Sequence, residues 1–162
     1  MPVTIGPGRT AAGSRQTLAT GLLVLGVAGG VLSGCSSSVE VSAAPRHTAA
    51  CDRPDTLWPR TVGRQARRSV TPSNPDAAAW GDPAIIATCG WPELGPTTEQ
   101  CIEVDGVDWV AHQLDDGVQF RTFGRSTVIE VLVPKAYAPE PLLLPAFGPA
   151  AKALPTNGRT CR

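Results

Sequence analysis

The stretch Cys101-Ile102-Glu103-Val104-Asp105-Gly106-Val107-Asp108-Trp109-Val110 decides the fold. Its first four residues alternate in facing, the period-2 pattern of a half-buried strand. Asp105-Gly106 is a strong two-residue hairpin signal, because a type I′ turn needs positive φ at both central positions. Val107 to Val110 then returns as the partner strand. Further along, Asp115-Asp116-Gly117 is a second turn, and Val118 to Phe123 (VQFRTF) alternates with Val118 and Phe120 on one face. Gly124-Arg125-Ser126 turns again, and Thr127 to Val133 (TVIEVLV) is a long apolar strand. The succession predicts an antiparallel meander.

Beyond the meander, Pro139 to Leu154 carries Leu142, Leu143, Leu144, Phe147, Ala150, Ala151 and Leu154, with Pro145 and Pro149 interrupting the pattern. One short helix beginning near Pro141 or Pro145 and packed on the sheet is expected. On the amino-terminal side, Ala84 to Cys89 (AIIATC) is a compact β-branched run and the expected central strand. Before it, Asn74 as cap, Pro75 at the first position and Asp76 in the first turn predict a short helix through Ala77 to Trp80, ended by Gly81. Ala66 to Thr71 reads as a short strand, and Pro59 suits the first turn of a short helix within Asp55 to Val62. The fold class is α+β: a small antiparallel sheet with short helices packed on it. The 17 Gly and 16 Pro point the same way, to short elements and many loops.

The first 34 residues read as a leader. Arg9 and Arg15 supply a positive start, and Leu18 to Leu32 is an uncharged apolar run, shorter than the about 20 residues of a membrane-spanning helix. Leu32-Ser33-Gly34-Cys35 follows and resembles the lipobox of bacterial lipoproteins, in which the cysteine is acylated and becomes the first mature residue. The alternatives are a secretory signal cut later, after Ala43, and an uncleaved anchor; all three place the domain outside the cytoplasm. Residues 35–50 contain Ser36 to Ala50 (SSSVEVSAAPRHTAA), too polar to fold alone, and read as a flexible tether. Residues 51–162 form the single extracytoplasmic domain. Two of the 14 basic residues precede Cys35 and all 14 acidic ones follow it, so the chain from Cys35 onward carries −2. That is no footprint for nucleic acid and no overall attraction to anionic lipid.

Five cysteines occur. With Cys35 lipidated, Cys51, Cys89, Cys101 and Cys161 remain, an even set that implies a disulfide framework with three pairings open. Cys89–Cys101, closing a local loop, and Cys51–Cys161, tying the domain's ends, are the expected pairs. Zinc is disfavoured because neither CxxC nor HxxxH spacing occurs, and no metal or cofactor is expected.

Ala78-Ala79-Trp80-Gly81-Asp82-Pro83, Ile85-Ile86, Cys89-Gly90, Gly106-Val107-Asp108-Trp109 and Phe123-Gly124-Arg125 carry a resemblance. So do Arg67-Arg68, Cys101 and a late cysteine. Together they resemble a family of small secreted actinobacterial proteins known only as a domain of unknown function. The resemblance covers about Cys51 to Cys161. It implies an exported envelope protein with paired cysteines, and no reaction or catalytic residue.

GxSxG, HExxH, P-loop and dinucleotide motifs are absent from the sequence. His112 is the one histidine of the domain, and a surface position at a strand end suits it; a hydrolase would need it in a cleft beside Asp115, Asp116 or a Ser or Thr. His47 falls in the tether and reads as inert. Asp105 and Asp108 are turn acids rather than a Ca²⁺ loop. Glu103 and Glu130, on strands, are expected to face solvent. Trp80 and Trp109 are expected in the core; Trp91, between Gly90 and Pro92, is the aromatic best suited to function. Arg60, Arg64, Arg67 and Arg68 form a basic patch suited to phosphate or carboxylate, or else a solvated surface.

The leading expectation is a lipid-anchored, non-catalytic envelope protein, joined to the membrane through its lipid and binding a protein partner or envelope component. The second is a ligand-binding lipoprotein with a pocket of Trp91, Arg64, Arg67 and Arg68. The third is a hydrolase.

Overall fold

The structure, a computed structural model, describes residues 37–42, 44–52 and 58–161. The leader, the Leu32 to Cys35 motif, Ala43, Asp55 and Leu57 lie outside the described residues. The meander forms as the alternation requires: β7 (Gln100–Val104), β8 (Val107–Gln113), β9 (Gly117–Thr122) and β10 (Thr127–Pro134) are successive antiparallel neighbours. Asp105 and Gly106 turn the β7–β8 hairpin with φ of 52° and 78°, the two positive values of a type I′ turn.

β6 (Ile85–Pro92) is the central strand predicted from its β-branched run, and it pairs with β10 on one side and β5 (Ala77–Trp80) on the other. β3 (Gln65–Arg68) and β2 (Thr61–Val62) continue the sheet outward. The order of the eight strands is β2-β3-β5-β6-β10-β9-β8-β7. A separate parallel pair joins β1 (Val39–Glu40) to β4 (Val70–Thr71).

One sheet face is apolar, with Trp80, Ile85, Ala87, Trp109, Phe120, Ile129 and Val131 all fully buried. A 3₁₀ run, Glu140–Phe147, and a short helix, α1 (Gly148–Lys152), cover it through Leu144, Phe147, Ala150 and Ala151. Trp80 meets Phe147 and Trp58 edge to face, at centroid distances of 5.4 and 6.3 Å. Such contacts each contribute about 1 kcal/mol beyond the area they bury. The two indole N–H groups stay satisfied: Trp58 donates to the Pro75 carbonyl and Trp80 to the Pro59 carbonyl, both at 3.0 Å. The expected carboxy-terminal helix is thus mostly 3₁₀, because Pro145 lacks the N–H that an α-helix would use.

Four expectations are corrected. Ala77 to Trp80 is a strand, not a helix. Its helical propensity is a weak preference, and burial on both faces between β3 and β6 overrides it. Asn74 does cap a backbone N–H, that of Asp76 at 2.9 Å, but as a turn leading into the strand. Pro59 begins no helix; the described part of that segment leads into β2.

The disulfides are Cys51–Cys89 and Cys101–Cys161, with Cα separations of 6.0 and 5.7 Å. Cys89–Cys101 fails because β6 is central and β7 is the far edge. Three strands intervene, so the two cysteines are separated by roughly 19 Å at the usual strand spacing. That is far beyond a bridge's reach.

The presumed tether is also not free over its described part. Val39 N–H donates to the Ser69 carbonyl and Val41 N–H to that of Thr71, at 2.9 and 3.0 Å, and Val41 is buried. Ala49–Cys51 then makes a 3₁₀ turn whose Cys51 is fully buried.

Candidate binding face

The second face of the sheet is polar at its centre. Glu130 lies mid-strand on β10 directly opposite Arg121 of β9, and the alternation that sends Val131 and Phe120 into the core sends these two outward. Three donors converge on Glu130 Oε2: Arg121 Nε at 2.7 Å, Arg121 Nη2 at 2.6 Å and Gln119 Nε2 at 2.8 Å. Glu130 is only 6 % exposed, so the expectation that it faces solvent is corrected. Charge-assisted donors are what allow a carboxylate to be buried there.

Trp91 completes the cluster. The bulge between Val128 and Ile129 sets Trp91 opposite Val128, on the polar face. Its Nε1 donates to Thr88 Oγ1 at 2.8 Å, and the Arg121 guanidinium sits 5.0 Å from the ring centroid. That is cation–π range. The indole is half-buried and held by Thr88 and Arg121, so it presents a rigid aromatic surface.

Two chain segments flank this platform. On one side the amino-terminal segment crosses Gly90: φ there is 112°, and a Cβ would collide with the Arg46 carbonyl. His47 fastens the segment, with Nδ1 2.6 Å from Asp76 Oδ2 and Nε2 2.7 Å from Asp52 Oδ1. The hydrogen bond to Asp76 and that carboxylate's charge, with a smaller push from Asp52, hold His47 above the ordinary histidine value of 6.5. His47, read as inert, is a structural fastener. On the other side the carboxy-terminal tail returns: Asn157 N–H donates to the Gly124 carbonyl at 3.0 Å, and Cys161 N–H to Asp108 Oδ2 at 2.9 Å. A groove of about 430 Å³ opens beside the Cys101–Cys161 bridge, lined by Thr97, Thr98, Glu99, Phe123 and Thr160.

The pocket expected from Trp91, Arg64, Arg67 and Arg68 is not assembled. Arg67 and Arg68 sit opposite Trp80 and Ala79, at the Ile85 end of β6. Trp91 lies six residues along that strand, roughly 20 Å away. Arg64 is exposed in the β2–β3 turn. Arg68 is committed to the chain itself, donating to the Gly81 carbonyl at 2.9 Å and the Ser37 carbonyl at 2.7 Å. Arg67, Arg68, Ser73 and Asn74 line a separate groove of about 530 Å³.

His112 is exposed, and its Nδ1 lies 2.7 Å from Glu99 Oε1; Asp115 and Asp116 are not among its described partners. Glu103 accepts the Gly106 N–H at 2.6 Å and serves the hairpin turn, whereas Asp108 holds the carboxy-terminal tail. Cys35 lies outside the described residues. Arg121 and Gln119 were missed by sequence reasoning. The available signal was one cation and one anion, each in the middle of an apolar strand, on strands expected to be neighbours.

A protein-family model described as "Protein of unknown function (DUF3515)" matches residues 18–155. The match includes the apolar run before Cys35 and stops short of Cys161. No curated protein and no solved structure matches the chain. No helix among the described residues is long and apolar enough to cross a membrane. The two disulfides suit an oxidising, extracytoplasmic compartment.

Proposed function

We propose that this chain, which belongs to the family described as "Protein of unknown function (DUF3515)", is a non-catalytic cell-envelope protein anchored by lipid at Cys35. It recognises a protein partner or envelope component through the polar sheet face. The observation that carries the reading is Trp91, half-exposed yet fixed by Thr88 and by Arg121, whose charge is neutralised by buried Glu130. A preorganised aromatic with a satisfied guanidinium beside it loses little conformational freedom on binding, which suits recognition. The disulfides and the lipobox-like motif support an extracytoplasmic address.

A photo-crosslinking residue at position 91 in intact envelopes tests this. It should trap a discrete component, and Arg121→Ala should abolish the product. Equal crosslinking from Gln113, on the same sheet but away from the platform, would remove the proposed face. Cys35→Ala should shift the protein out of the membrane fraction; unchanged retention and processing would refute the lipid anchor.

A further inference from the structure

The segment after Cys35 does not lift the domain away; it is fastened to the domain almost at once. Arg68 Nη2 donates to the Ser37 carbonyl at 2.7 Å, and Thr71 Oγ1 to Ser38 Oγ at 2.6 Å. Val39 and Val41 are then hydrogen-bonded alongside β4. Further on, His47 grips Asp76 and Asp52, and the buried Cys51–Cys89 bridge closes the segment onto β6. Among the described residues of this run, no stretch is long enough to act as a spacer. Ser37 is two residues from Cys35, and two residues of chain span at most about 7 Å.

We infer that the corner of the domain formed by Ser37, Ser38, Arg67, Arg68, Ser69 and Thr71 rests directly on the membrane surface. Its occupant is the lipid headgroup layer. The inference rests on the lipidation of Cys35 proposed above, and it specifies what that anchor does to the domain. An acyl chain at Cys35 must enter the bilayer, so the Ser37 carbonyl is held within a headgroup's depth of it. The chemistry of the corner suits that position. Arg67 is exposed there, and its planar guanidinium matches a headgroup phosphate in a bidentate way, while Arg68 braces the corner through its bonds to the Gly81 and Ser37 carbonyls. Glu40 and Asp82 are also exposed nearby. The covalent lipid therefore supplies the affinity, and Arg67 orients the corner, despite the net −2 of the chain from Cys35 onward.

Orientation is what a flexible tether would not give. β8 lies five strand spacings from β3, roughly 24 Å across the sheet, so the far half of the domain is carried away from the lipid. The test places a fluorophore at Ser69→Cys or, separately, Gln113→Cys in the full chain, and reads quenching by headgroup-labelled lipid in native membranes. Strong quenching at 69 and weak quenching at 113 is expected. A Gly/Ser insert of about 20 residues between Ser36 and Ser37, reaching roughly 25 Å, should abolish that difference. Equal quenching at the two positions without the insert overturns the inference. Loss of membrane retention in Cys35→Ala reports the anchor independently. Retention in that variant defeats the lipid reading even where the two positions differ.

Discussion

β7 to β10 follow one another through tight turns, with long registers of five paired residues between neighbours. β1 to β5 are strands of two to four residues each, and their pairings are correspondingly short. The meander is held by local pairing; the amino-terminal half is held by ties between residues distant in sequence. Those ties are Cys51–Cys89, His47 to Asp76, Arg68 to the Ser37 carbonyl, and the two indole N–H bonds to Pro59 and Pro75. The difference teaches that one sheet contains two kinds of cooperativity. Removing a single tie should open the amino-terminal half, whereas the meander should weaken without opening.

The largest test removes the disulfides one at a time. Their sequence separations of 38 and 60 predict a similar loss, about 4 kcal/mol each, from chain entropy. Cys51 and Cys89 are fully buried, so Cys51→Ala/Cys89→Ala should also forfeit packing and exceed that value. Urea unfolding measures the loss, and limited proteolysis should show residues 37–52 newly cut. Cys101→Ala/Cys161→Ala should leave those residues protected. Identical cleavage in both variants breaks the comparison.

Next in size is Glu130→Ala in the meander. It leaves Arg121 and Gln119 without their acceptor; because Arg121 is 31 % exposed, the cost is discounted to about 2 kcal/mol. The transition should stay two-state by fluorescence and circular dichroism, and separate transitions would show that the halves uncouple. Gly106→Ala is smaller, about 1 kcal/mol, since it forces a side chain into positive φ with no clash beyond.

The smallest effect is one of pH. His47 is raised in the folded state, so its contribution is complete below 6.5 and is lost as pH rises through the elevated folded value. Protection of residues 37–52 from protease should therefore fall as pH rises through that elevated value, and His47→Ala should flatten the dependence. A pH profile unchanged in that variant removes His47 as the fastener.

The same division explains what the sequence made legible. The meander was readable because alternation, the Asp105-Gly106 turn and the β-branched run of β6 are local signals that tertiary contacts reinforce. The amino-terminal half was not, because Ala77 to Trp80 owes its strand conformation to neighbours on both sides, and Ser36 to Ala50 has no folding tendency without the sheet beneath it. The cysteine pairing was misjudged for a topological reason: the loop from β6 to β7 crosses three strands, which no spacing along the chain reveals. The candidate face was half visible. Trp91 stood out by its setting, but its partner proved to be Arg121, two strands away, rather than the arginines clustered in sequence.

The pairing of Cys51 with Cys89 and Cys101 with Cys161 has a consequence for biogenesis. Of the four cysteines that follow Cys35, the bridges join first to second and third to fourth, in chain order. An exported chain threading amino end first exposes Cys51 and Cys89 to oxidant before Cys161 has emerged. With Cys35 taken up by lipid, oxidation of the remaining thiols in their order of arrival gives the native connectivity, and maturation should proceed at an undiminished rate in a host lacking disulfide isomerase.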